Sequence, residues 1–128
     1  MNSRPPLRAR LSVVESRVTV TYDGYIDEGD DATLAQLEER VMARPGRSTI
    51  LFVQGRDFAG FHRSQVGKHA SAISRMRDKL AGVAIANATG PVRFAIASVA
   101  MLSKVPLKGF EDEASAHRWL DDQAQAKR

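Results

Sequence analysis

The chain has 128 residues, no cysteine and a formal net charge of +4. That length suits one ordinary domain able to bury roughly two-thirds of its unfolded surface. The missing cysteines exclude disulfides, thiolate metal sites and cysteine nucleophiles, which makes the cytosol the expected compartment.

Residues 1–9 carry arginines and prolines without an apolar run, so they read as a flexible arm and neither a secretory signal nor a membrane span. Leu11, Val13 and Val14, then Val18, Val20, Tyr22 and Ile26, alternate around Glu15-Ser16-Arg17, which predicts two antiparallel strands, the second ending near Gly24. After the acidic turn, Leu34, Leu37, Val41 and Met42 recur at helical spacing, with Asp30 or Asp31 as N-cap and Pro45-Gly46 as the stop. Residues 49–53 are continuously apolar and rich in β-branching, as expected of a central strand covered on both faces. Residues 54–63, with Gly55 and Gly60, read as a loop leading to a second helix. That helix presents Val66, Ala70, Ile73 and Met76 on one face, with Ser64 as its expected N-cap.

Residues 80–86 form a second apolar strand, and Thr89-Gly90-Pro91 is a strong helix start because proline is preorganised for the first turn. The third helix is expected to run to about Ser103, followed by a short strand over 105–109. A last helix buries Ala116, Trp119 and Leu120, so Trp119 should report folding, and residues 123–128 should fray. The expected architecture is therefore α/β: a mixed, mostly parallel sheet of about five strands with an N-terminal antiparallel hairpin and four helices, in one domain over 10–122.

Basic residues gather between Gln54 and Phe110, whereas acidic ones cluster at 27–31 and 111–113, each group ahead of a helix whose dipole they complement. No nucleic-acid-reading motif accompanies the basic stretch, and a solvated mixed surface is expected there. Gly55 and Gly60 fit neither a Walker loop nor a dinucleotide fingerprint. His62 and His69 lack the further ligands a metal site needs and read as surface histidines. Asp57 stands after a central strand, where ligand crevices form, but no nucleophile or oxyanion hole stands beside it in the sequence, and a turn-forming role is favoured. Neither a cofactor nor catalysis is expected.

Two stretches carry a family resemblance. Residues 51–61, with Asp57-Phe58-Ala59-Gly60-Phe61, resemble the strand and Asp-Phe-x-Gly-aromatic loop of the SpoIIAA-like group of STAS domains, a group that shares features with the SEC14 lipid-binding fold. Residues 109–120, with Phe110, Ala116, Trp119 and Leu120, resemble its closing helix. The resemblance implies a binding or switching module. Where kinase-regulated members place an Asp-Ser-Ser-Gly-like motif, this chain reads Gly60-Phe61-His62-Arg63-Ser64. Phosphorylation of Ser64 would put charge near a helix N-terminus, yet a serine there is more often a plain cap.

The third helix is the anomaly: from Val92 to Leu102 it is apolar on nearly every face, and a helix of that kind must be covered from both sides unless its alanines make ordinary exposure tolerable. A second subunit, an apolar ligand beneath a movable helix and a membrane surface are the three candidate covers; the segment is too short to span a bilayer. Two expectations follow. The first is a protein-interaction module, self-associating as a homodimer, with Asp57, Phe58, Gly60, Phe61, His62, Arg63, Phe94, Val99 and Met101 as the candidate surface. The second is a carrier or sensor of a lipid-like apolar small molecule, with the third helix as lid and Arg56, Arg63 or Arg93 receiving an acidic head group.

Overall fold

A computed structural model describes residues 9–126. Its five strands lie in one sheet in the order β1 (Ala9–Val14), β2 (Arg17–Ile26), β3 (Ser48–Phe61), β4 (Leu80–Ala86) and β5 (Leu107–Phe110). The first pair is antiparallel and the remaining pairs are parallel. Four α-helices connect or follow them: α1 (Asp31–Ala43), α2 (Ser64–Arg75), α3 (Gly90–Ser103) and α4 (Glu113–Ala126).

The layering follows from this order. Parallel neighbours joined in sequence by right-handed crossovers must carry all their connecting helices on one face. Accordingly Val18, Val20, Ile50, Phe52, Val83 and Ile85 share one core with Leu37 and Val41 of α1, Ala70 and Ile73 of α2, and Val92 and Val99 of α3. The opposite face holds Leu51, Val53, Ala84 and Ala86, covered by Ala116 and Leu120 of α4. The uninterrupted apolar runs of β3 and β4 therefore serve both cores, alternate residues going to each.

Arg17, a residue the sequence pattern assigns only to a turn, opens β2 and ties α4 down. Its guanidinium donates to Thr49 Oγ1 at 3.0 Å, to His117 Nδ1 at 2.7 Å and to Asp121 at 2.7 Å. α4 continues to Ala126, so residues 123–126, expected to fray, are helical, and Gln123 packs against Gly82 of β4. β1 starts at Ala9; the rest of the expected N-terminal arm lies outside the described residues.

The larger departure is at residues 54–61, which continue β3 instead of forming a loop. Strand β2 runs on past Gly24 to Ile26 and supplies the pairing partner: Gly24 with Phe58, Tyr25 with Gly60, Ile26 with Phe61. Between Tyr22 and Gly24, β2 advances two residues while β3 advances four, from Gln54 to Phe58, so the ladder is bulged here. The bulge packs Gly55 under the Asp23 side chain, where any Cβ would come within 2.1 Å of the carboxylate. Asp23 in turn accepts the Asp57 amide at 3.1 Å and pairs with Arg10 at 2.7 Å. Asp57 is thus a strand residue held through its backbone, and it does not form a turn.

Candidate functional site: an apolar cavity beneath the third helix

Phe52 and Gln54 project from β3 toward the three-helix face, and Tyr22 of β2 stacks on Phe52 with ring centroids 6.0 Å apart. His69 of α2 meets both rings edge-on, at 5.8 and 5.6 Å. α3 closes the space from above with Val92, Ala95, Ile96 and Val99. Between these elements lies an apolar cavity of about 100 Å³. Phe58 and Phe61, carried there by the extension of β3, line it at the end of the strand, half-buried against the main core.

Polar side chains also stand around this cavity, and most are committed to partners. The Gln65 carbonyl can only accept, so the 2.7 Å contact places the His69 proton on Nδ1. Nε2 then accepts the Tyr22 hydroxyl, also at 2.7 Å. Burial pushes the His69 pKa down, opposed by the bond to Gln65 and by Asp31. Burial likewise raises that of Tyr22, reinforced by Asp30. Both groups are therefore neutral near pH 7.

Gln54, only 7% exposed, is the third such group. Its main-chain carbonyl accepts from Asn87 Nδ2 at 3.2 Å, and its side-chain Oε1 accepts the Thr89 amide at 2.9 Å. Both partners belong to the β4–α3 connection, in which Asn87 takes a left-handed φ of 61° and Thr89 is the N-cap residue of α3. Gln54 therefore fixes where the covering helix begins.

Of the residues singled out in the sequence, Phe58, Phe61 and Val99 line the cavity, and Gly60 sits on the bulged strand with φ 116° over the Tyr25 ring. Val99 is 7% exposed, so it belongs to the core and cannot be part of a docking surface. Phe94 and Met101, at 83% and 81% exposed, do form an outer stripe on α3 with Leu102. Asp57, His62 and Arg63 are exposed at the β3–α2 end, away from that stripe in sequence and not among the residues lining the cavity. His69 is not a surface histidine, because α2 turns it onto the Tyr22 and Phe52 rings.

Ser64 is the first residue of α2 and not its cap; the cap position is Arg63, and no side chain caps the helix from there. Instead His62 Nδ1 accepts the Ser64 amide at 3.1 Å and lies 2.8 Å from Ser64 Oγ. None of the three arginines proposed for an acidic head group lines the cavity, and Arg93 sits 3.7 Å from Glu111 on the surface. The polar residues at the cavity are Tyr22, Gln54, Gln65 and His69; the sequence pattern places Tyr22 only as a strand residue and His69 only as a surface histidine, and the one signal for Gln54 is a glutamine closing an otherwise apolar strand run. Among the described residues no cluster of His, Asp and Glu suits a metal ion, and no helix is long and apolar enough to cross a membrane.

No family model and no curated protein matches this chain. Among solved structures it is similar to an uncharacterized protein of the DUF3478 family, with a SpoIIAA-like fold, from Shewanella loihica PV-4. The two share 15% identity over 93% of this chain and 99% of the other, with a TM-score of 0.66. The fold is SpoIIAA-like. At that identity the likeness concerns the fold alone, and the antiparallel β1–β2 pair, the parallel β2–β5 sheet and the four helices are the SpoIIAA-like features of this chain.

Proposed function

We propose that this SpoIIAA-like chain is a non-enzymatic binding module that takes an apolar small molecule beneath α3. The observation that carries the reading is the half-open apolar cavity between β3, β4, α2 and α3, walled by Ile73, Ile85, Val92 and Ile96 together with the Phe58 and Phe61 rings. Its volume of about 100 Å³ is below the roughly 150 Å³ at which an apolar cavity takes up benzene. A ligand larger than a few carbon atoms therefore extends out through the open side of the cavity or shifts α3 outward. The protein purified without added ligand should be weighed by native mass spectrometry and then titrated with ethylbenzene. Saturable one-to-one binding, lost in Ala95→Leu, is the expected result, and linear, non-saturable uptake would sink the proposal.

A second reading is favoured by a separate observation, the outward stripe of Phe94, Met101 and Leu102. Large apolar side chains aligned on one helix face are what a self-associating surface presents, and a second copy of this chain is the occupant the reading names. Sedimentation equilibrium of the wild type and of Met101→Lys decides it: a dimer that dissociates in the variant supports self-association, and a wild-type monomer removes it.

A further inference from the structure

Half of the large hydrophobic side chains exposed among the described residues gather on one helix face: Phe94, Met101 and Leu102 of α3, whereas Val14, Tyr25 and Met42 stand singly on β1, β2 and α1. Single exposed apolar residues are ordinary, but a gathered patch signals a partner. Phe94 and Met101 are two helical turns apart, and between them the same face carries Ala97 and Ser98, both exposed. The order along the face is therefore large, small, small, large, with its midpoint between residues 97 and 98. Such an order reads alike in both directions, so a second α3 running the opposite way sets residue 94 against 101 and residue 97 against 98. The small pair at the crossing lets the two backbones approach, and each phenyl ring meets a thioether, a favourable contact.

Charge selects the same direction. α3 and its C-cap carry Arg93 and Lys104 near opposite ends and no acidic residue. Two parallel copies would set Arg93 against Arg93 and Lys104 against Lys104. In the antiparallel pair Lys104 approaches the other copy's Arg93, which sits 3.7 Å from Glu111, and that carboxylate, its side chain 87% exposed, supplies the counter-charge at each end. We infer that α3 pairs antiparallel with α3 of a second copy of this chain, about a twofold axis between Ala97 and Ser98, with Phe94 of each copy against Met101 of the other. Covering the three apolar side chains on both copies removes on the order of 800 Å² from water, at the small end of specific interfaces. The dimer is accordingly weak, with a dissociation constant of about a micromolar or above.

This inference rests on the self-association reading above and deepens it by fixing which residues of the two copies meet. The test uses Phe94→Glu and Met101→Lys, each at a position the core of the monomer does not use. Sedimentation equilibrium is run on the wild type, on each variant and on their equimolar mixture, at about a hundred times the micromolar scale of the expected constant. Alone, each variant puts two unpaired charges into its own interface and should associate at least about a hundredfold more weakly than the wild type. The mixture should recover association to within about tenfold of the wild type, because antiparallel pairing sets the introduced carboxylate against the introduced ammonium and keeps one native Phe94–Met101 contact. Native mass spectrometry identifies the recovered species as a heterodimer by its intermediate mass.

In a parallel pair the two introduced charges never meet, and the mixture stays as weak as the single variants. A wild-type dimer whose mixed variants fail to recover therefore overturns the antiparallel pairing and leaves self-association standing. Single variants that associate as the wild type does overturn α3 as the interface, and a wild-type monomer overturns both the pairing and the reading beneath it, leaving the stripe to a different occupant.

Discussion

Helices α3 and α4 have 14 residues each and cover opposite faces of the same sheet, yet they are seated differently. Beneath α4 the sheet presents Gly82, Ala84 and Ala86 beside Leu51 and Val53, and a Cβ on Gly82 would lie 3.1 Å from Gln123; α3 comes as close only at the sheet edge, where a Cβ on Gly109 would lie 3.0 Å from Ile96. Over β3 and β4, by contrast, α3 faces the bulkier Phe52, Val83 and Ile85, and a cavity remains there. Small residues let a helix settle onto a sheet, whereas large ones hold it off and leave space where their outlines do not interlock. α4 is therefore placed as a structural clamp, reinforced by the Arg17 bonds to His117 and Asp121, and α3 as the looser cover.

The most severe way to test that contrast is to truncate one buried residue on each side. Leu120→Ala should cost about 2–5 kcal/mol, as expected for a fully buried leucine with no room to relax. Ile96→Ala, beside existing empty space, should cost roughly 1–2 kcal/mol, since its side chain is only half-buried. Chemical denaturation of both variants measures the difference, and equal losses would remove the distinction. Filling the cavity with Ala95→Leu should raise stability by roughly 0.5–2 kcal/mol, a gain that no substitution under α4 should match.

A pH dependence sharpens the comparison further, because His69 lies on the cavity side. Its pKa is lowered on folding by burial, so the unfolded chain takes up the proton first. Stability attributable to His69 is thus fully present above the ordinary histidine value of 6.5 and declines as the pH falls below it, toward the lower folded-state pKa. Calorimetric melting between pH 7.5 and about 5 should show this decline in the wild type, and His69→Gln should flatten it. The carboxylates Asp31 and Glu38 are held below their ordinary values of 3.8 and 4.5, chiefly by hydrogen bonds from Lys68 and Arg75, and so do not contribute in that window. The smallest expected effect is on the outer face of α3, where Phe94→Lys should change the stability of the folded chain by no more than about 0.5 kcal/mol.

Val99 shows where periodicity loses its meaning. Val92 and Val99 are two turns apart and point inward, and Phe94 and Met101 are two turns apart and point outward. In a helix with polar residues on one side the inward direction can be read from the sequence, but α3 offers two apolar stripes of similar strength, and nothing local ranks them. Consequently Val99→Glu, which on an exposed stripe would disturb only an interface, places a charge in the core and should unfold the chain. The same limit applies to His69, whose burial depends on rings from β2 and β3 that lie 47 and 17 positions away in the chain.

What the sequence determined by itself is the set of elements whose signals are local: the apolar runs of β3 and β4, the proline-marked start of α3, the helical stripes of α1, α2 and α4, and through their order the SpoIIAA-like topology. What only the tertiary structure decided depends on partners remote in the chain. Residues 55–61, rich in glycine and charge, become strand because Gly24 to Ile26 run alongside them. Gln54 becomes a buried, half-satisfied amide because Thr89 reaches its oxygen and nothing reaches its nitrogen. Backbone periodicity is written into neighbouring residues, but the accessibility and hydrogen bonding of a side chain are set by whatever the fold brings against it.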